Sequence, residues 1–221
     1  MAWAGSYRAT PAIQAFGNLA TWSVNKAAGT VSGDLVLLWC SDSNWSGPAF
    51  SCPGFTAYTD IALNGYNPGQ LLIRQADGTE GSTYAVNPGH TTHGNVVQTV
   101  IAGPCSIDVV GAANNAQNAS PSATGLTVAG ANELLLWFGG AALVSNGLGT
   151  LIATPSGFTS QFAGTAGTTD DDIVVKDNTA IAAGATGSIA TTVSASSNWG
   201  AQMVAIKTNP VVATAGLLAF C

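Results

Sequence analysis

The apolar residues of this chain come in short runs of strand length, and no window sustains the 3.6-residue apolar period of a helix. The runs are Val31–Trp39, Leu71–Arg74, Thr83–Val86, Val96–Ile101 and Ile107–Val110, then Glu133–Phe138, Ile173–Lys176, Ile189–Val193 and Gln202–Lys207. Turn residues separate them: Asn67-Pro-Gly69, Asp77-Gly78 and Asn87-Pro-Gly89. Many short strands with Gly and Pro turns predict an all-β chain folded as a two-sheet sandwich.

The runs repeat. Gly33-Asp-Leu-Val-Leu-Leu-Trp39 is echoed about a hundred positions later by Asn132-Glu-Leu-Leu-Leu-Trp137. Pro53-Gly-Phe-Thr56 is echoed by Pro155-Ser-Gly-Phe-Thr159, Leu71–Arg74 by Ile173–Lys176, and Val97-Gln-Thr-Val100 by Ala201-Gln-Met-Val204. The expected organisation is one jelly-roll-like sandwich over residues 13–209, built from pseudo-repeats at about 31–101 and 130–206. An N-terminal arm (1–12) and an apolar C-terminal tail (210–221) flank it. The match places Trp39 and Trp137 at equivalent core positions.

Charged residues are 7% of the chain, against roughly 25% in an ordinary soluble domain. The five cations, Arg8, Lys26, Arg74, Lys176 and Lys207, are scattered, and the net charge is −6. Nucleic-acid binding rests on clustered cations that displace counterions, so nucleic acid is not an expected partner. No run of roughly 20 apolar residues suggests a membrane helix, so no membrane partner is expected either. The start, Met-Ala-Trp-Ala-Gly-Ser-Tyr-Arg, lacks a basic segment followed by an apolar one, which reads as synthesis in a cytoplasm.

Chemistry-bearing residues are few. His90 and His93 stand at H-x-x-H spacing without a third ligand in register, which reads as a polar loop. Glu80 and Glu133 are the two glutamates, and neither has an evident carboxylate partner across a substrate bond. Asp170, Asp171 and Asp172 are the calcium candidates. Otherwise no cofactor and no enzyme activity are expected. Cys40, Cys52, Cys105 and Cys221 lack zinc spacing and read as buried thiols, with Cys40–Cys52 the best disulfide candidate because the two flank one loop. The interface candidates are Trp3, Tyr7 and Arg8 near the N-terminus, Trp45 in a polar loop, and Leu217, Leu218 and Phe220 in the tail.

The order Gly33–Trp39, Gly54-Phe-Thr56, Ala76-Asp-Gly-Thr-Glu-Gly-Ser-Thr-Tyr-Ala-Val86, Ala182–Gly187 and the closing Trp199–Lys207 run resembles a family of β-sandwich virion proteins of tailed bacteriophages. Its members are capsid decoration (cement) proteins and minor tail proteins, and the resemblance spans roughly residues 13–207. It implies a homotrimer on the outer capsid surface of the virion, clamping neighbouring major capsid protein subunits after synthesis in the host cytoplasm. The alternative is a minor tail or capsid-displayed protein that recognises host-surface glycans.

Overall fold

A computed structural model describes residues 5–42, 49–58, 69–142, 152–164, 171–179, 181–194 and 196–208. The described residues contain strands and no α-helix. The first half supplies β1 (Tyr7–Leu19), β2 (Trp22–Asn25), β3 (Leu35–Asp42), β4 (Thr56–Tyr58), β5 (Gly69–Gln75), β6 (Thr83–Val86) and β7 (Thr92–Ile101). The second supplies β8 (Cys105–Val110), β9 (Asn114–Asn118), β10 (Ser122–Ala123), β11 (Thr127–Val128), β12 (Leu134–Ala142), β13 (Thr159–Gly164), β14 (Asp171–Asn178), β15 (Gly184–Ala185), β16 (Ile189–Ala190) and β17 (Ser197–Thr208).

The chain completes one sheet before it begins the other. The first sheet runs β1-β7-β3-β5-β4, and the second runs β13-β14-β12-β17-β8, with β9 also pairing β17. Both are antiparallel throughout. Read from opposite ends, the two orders correspond: β7 with β17, β3 with β12, β5 with β14 and β4 with β13. The broken pair β8 and β9 lies along β17 as continuous β1 lies along β7. A jelly roll is two interleaved Greek keys. Here each half closes its own sheet, so the expected fold is met as a two-sheet sandwich without that interleaving.

Central strands β3 and β12 are covered on both faces, which is why they read as unbroken apolar runs instead of alternating ones. Leu35, Leu37 and Trp39 face the second sheet, where they meet Leu134, Leu136, Phe138, Val204 and Ile206. Val36, Leu38 and Cys40 face outward beneath a lid formed by the β2–β6 ribbon, through Trp22, Val24, Tyr84 and Val86. On the other sheet, Leu135, Trp137, Met203 and Trp199 face outward beneath Ala123, Leu126, Val128, Ile181 and Val193, around the two-residue ladders β10–β16 and β11–β15. The described residues thus form four layers with three apolar interfaces.

This layering corrects the repeat alignment. Trp39 and Trp137 are both buried, but on opposite faces of their sheets. The residue equivalent to Trp39 is Phe138, and the two rings stack across the sandwich at 6.0 Å with an interplanar angle of 14°. Gln98 and Gln202 diverge likewise: Gln98 accepts from the Ala27 N–H under the outer lid, whereas Gln202 shares the inward face of Val204 and Ile206. Side chains alternate with a period of two, so an alignment slipped by one residue exchanges faces.

The sheet edges are blunted. β1 carries Pro11 and three register shifts, β4 has only three residues, β13 has a shift after Ser160, and the β8–β9 side is interrupted. Proline, bulges and short strands discourage strand addition. Residues 7–12, expected within an arm, are part of β1, and the tail 210–221 lies outside the described residues.

Face assignment is testable by coupling. Trp39→Phe and Phe138→Leu are each expected to lower stability by about 1–3 kcal/mol. Together they should deviate from additivity by about 0.5–1.5 kcal/mol in urea titrations. Trp39→Phe with Trp137→Phe, on opposite faces, should add.

Candidate functional site

Both central strands open from the same local device. Gly33 (φ 89°) and Asn132 (φ 64°) take the left-handed conformation, and an acidic residue follows each. Gly and Asn are the residues that enter this region most readily. Asp34 Oδ2 accepts from the Val31 N–H at 3.0 Å, and Glu133 Oε1 accepts from the Gly130 N–H at 2.9 Å. Each carboxylate therefore pins the turn three residues behind it.

Their second partners carry opposite charge. Arg8 of β1 donates Nε and Nη2 to the two Asp34 oxygens, both at 2.8 Å, and the Gly103 N–H adds a bond at 3.0 Å. Burial works against ionised Asp34, but Arg8 and the two N–H groups outweigh it and hold the carboxyl below its ordinary range. Glu133 faces Asp108 of β8 instead. Burial first, and then the Asp108 charge, raise the Glu133 carboxyl above its ordinary range. Asp108 itself accepts from the Ala129 N–H at 2.8 Å and lies 3.5 Å from Lys207 Nζ.

The β5–β6 turn, which carries the Ala76–Val86 motif, is a knot of charges. Arg74 Nη2 reaches Asp77 Oδ2 at 2.8 Å and Glu80 Oε1 at 3.2 Å. Glu80 accepts from the N–H groups of Asp77 and Gly78 at 2.7 and 3.0 Å, and Asp77 accepts from the Thr79 N–H and hydroxyl at 2.8 and 2.6 Å. A pocket of about 330 Å³ lies beside the knot, lined among others by Cys52, Arg74, Thr83 and Tyr84. Burial, then the Glu80 charge, push the Tyr84 phenol up to about 12.

The remaining cations are also engaged internally. Lys26 Nζ donates to the Glu80 carbonyl at 3.3 Å, and buried Lys176 donates to Ser160 Oγ at 2.8 Å. With Arg8, Arg74 and Lys207, this accounts for all five Lys and Arg side chains. Tyr7, an interface candidate from sequence, bridges the sheets by donating to Asp177 Oδ2 at 2.6 Å, and Gln161 donates to the other oxygen at 3.0 Å. Tyr7 and Arg8 therefore each tie β1 to a distant part of the fold.

The other sequence candidates do not converge. Asp171 and Asp172 pair with Ala142 and Ala141 at the start of β14, and no group of three His, Cys, Asp or Glu suited to a metal occurs among the described residues. His90 Nε2 lies 3.2 Å from Asp42, and His93 belongs to β7. Glu80 and Glu133 pin turns attached to different sheets. Cys40, Cys52 and Cys105 are buried free thiols. Asp170, Trp3, Trp45, Leu217, Leu218, Phe220 and Cys221 lie outside the described residues. Sequence reasoning passed over Asp34, although its place after Gly33 matches that of Glu133 after Asn132.

The twin turns should respond oppositely to neutralisation. Asp34 has a lowered folded-state pKa, so its stabilisation is present above the unfolded carboxylate pKa and is lost as pH falls through the folded value. Glu133 has a raised pKa, so its burden is absent in acid and grows as pH rises from the unfolded value to the folded one. In thermal melts at pH 7, Asp34→Asn should cost about 1–3 kcal/mol. Glu133→Gln should leave Tm unchanged or raise it, with any gain shrinking toward pH 4.

No family model, curated protein or solved structure matches the chain.

Proposed function

We propose that this chain is a virion structural protein of a tailed bacteriophage, a decoration protein that binds the outer capsid surface as a homotrimer and strengthens contacts between major capsid protein subunits. The supporting observation is the internal use of its charges: all five cations, and the carboxylates that face them, fix turns and strands of a sandwich whose sheets are covered on both sides. Such a chain is a rigid body whose function lies in surfaces and loops. A cement protein needs no more than that. Binding the assembled shell better than the free subunits stabilises the shell by mass action, and engaging several subunits at once adds avidity.

The two sheets are aligned end to end. Trp39 stacks on Phe138, and Tyr7, level with the start of β3, reaches Asp177, near the start of β12. The last residues of β3 and β12, Asp42 and Ala142, therefore share one end with Gly69 and Asp171, their sheet neighbours. We assign capsid contact to this end of the sandwich. The blunted edges direct association to faces and loops rather than to strand addition.

Copy number tests the reading. Quantitative mass spectrometry of purified phage particles should find this chain within a small factor of the major capsid protein. A handful of copies per particle would make it a tail component and bring glycan recognition forward; absence from the particle would overturn the proposal.

A further inference from the structure

We propose that Cys40 and Cys52 are a redox pair, which a small-molecule disulfide such as oxidised glutathione converts into an internal cross-link between β3 and the segment that follows it. Both side chains belong to the packed cluster between the first sheet and its lid. Cys40 is on the outward face of β3, opposite Gln70 and Val96. Cys52 packs in the same cluster, and backbone hydrogen bonds fix the chain around it. Ser51 exchanges two backbone hydrogen bonds with Asn87, at 2.9 and 2.8 Å, and the Cys52 carbonyl accepts from the Phe55 N–H at 3.0 Å. The shared place of Cys40 and Cys52 in this cluster is the geometric basis of the pairing. Cys105 belongs to a different cluster, between the two sheets.

The two positions differ in access. Cys40 is fully buried, whereas Cys52 lines the pocket beside Arg74. Burial pushes the Cys52 thiol up to about 11, with the Arg74 guanidinium pulling the other way, and burial holds Cys40 well above its ordinary value. Cys52 is therefore the entry point. Its thiolate attacks one sulfur of the oxidised glutathione, forming a mixed disulfide and expelling a glutathione thiolate. Cys40 then gives up its proton and attacks the Cys52 sulfur, expelling the second glutathione. Two protein thiols are oxidised, one glutathione disulfide is reduced, and the two protons end on the two glutathiones. The reaction should quicken as pH rises toward the Cys52 pKa. The closed loop limits the unfolded chain, so Tm should rise on oxidation.

The five basic residues make the assay direct: trypsin releases 27–74 as one peptide holding Cys40 and Cys52, with Cys105 in 75–176 and Cys221 in 208–221. Folded protein is incubated with oxidised glutathione, quenched in acid, denatured, alkylated and digested. The expected peptide 27–74 carries no alkyl group and is lighter by two hydrogens, while Cys105 remains fully alkylated. Cys40→Ser should instead trap one glutathione on Cys52. Full alkylation of 27–74, or a lasting glutathione adduct on the unsubstituted chain, would overturn the proposal. A control oxidised in denaturant shows that the cross-linked peptide is detected when it forms.

Discussion

Burial of the central strands on both faces is the constraint on which the rest of the structure depends. β3 and β12 each present one row of side chains to the other sheet and a second row to a lid. The rows meet at Trp39 and Phe138, whose stacked rings join the two sheets near the middle of the sandwich. A large apolar side chain buried in this way contributes about 1.5–3 kcal/mol. A flat sheet exposed on its outer face would forgo half of those contacts. The lids are slight, a four-residue ribbon on one side and two-residue ladders on the other. They suffice because Trp22 and Trp137, both fully buried, fill the outer layers with single large side chains.

A chain with so few charges places them with care. Turns bring unpaired backbone N–H groups together, and a buried N–H without a partner is costly. Here carboxylates satisfy them: Asp34 for Val31 and Gly103, Glu133 for Gly130, Glu80 for Asp77 and Gly78. Arg8 and Arg74 then neutralise two of these carboxylates in place. The second sheet differs, because Asp108 stands toward Glu133 where Arg8 stands toward Asp34. One structural device is thus stabilised by ionisation in one half and by protonation in the other. The few charges are thus committed to partners within the chain, including the partly exposed Arg8, Asp77 and Lys207.

Much of the architecture was legible. The apolar runs became strands, the Gly and Pro clusters became turns, and the two halves built sheets of corresponding strand order. The slipped repeat alignment has one cause. Matching Trp137 to Trp39, or Gln202 to Gln98, follows residue identity, whereas the fold follows the parity of the strand. The sequence did not reveal the partners of Tyr7 and Arg8, because Asp177 and Asp34 are distant in sequence or hidden in a turn. Nothing local in the chain announces a hydrogen bond between two sheets.

The sequence by itself determined the all-β class, the positions of the main strands, and the scarcity of charges available for chemistry. These follow from local pattern: the length of an apolar run, the residue that breaks it, and the count of Lys, Arg, Asp and Glu. Only the tertiary structure decided which face each strand presents, that each half closes its own sheet, and that Cys52 lies beside Arg74 and in one cluster with Cys40. The reason is physical. Pairing and layering are chosen by how side chains far apart in sequence fill a shared volume, and that choice is made only when the sheets meet.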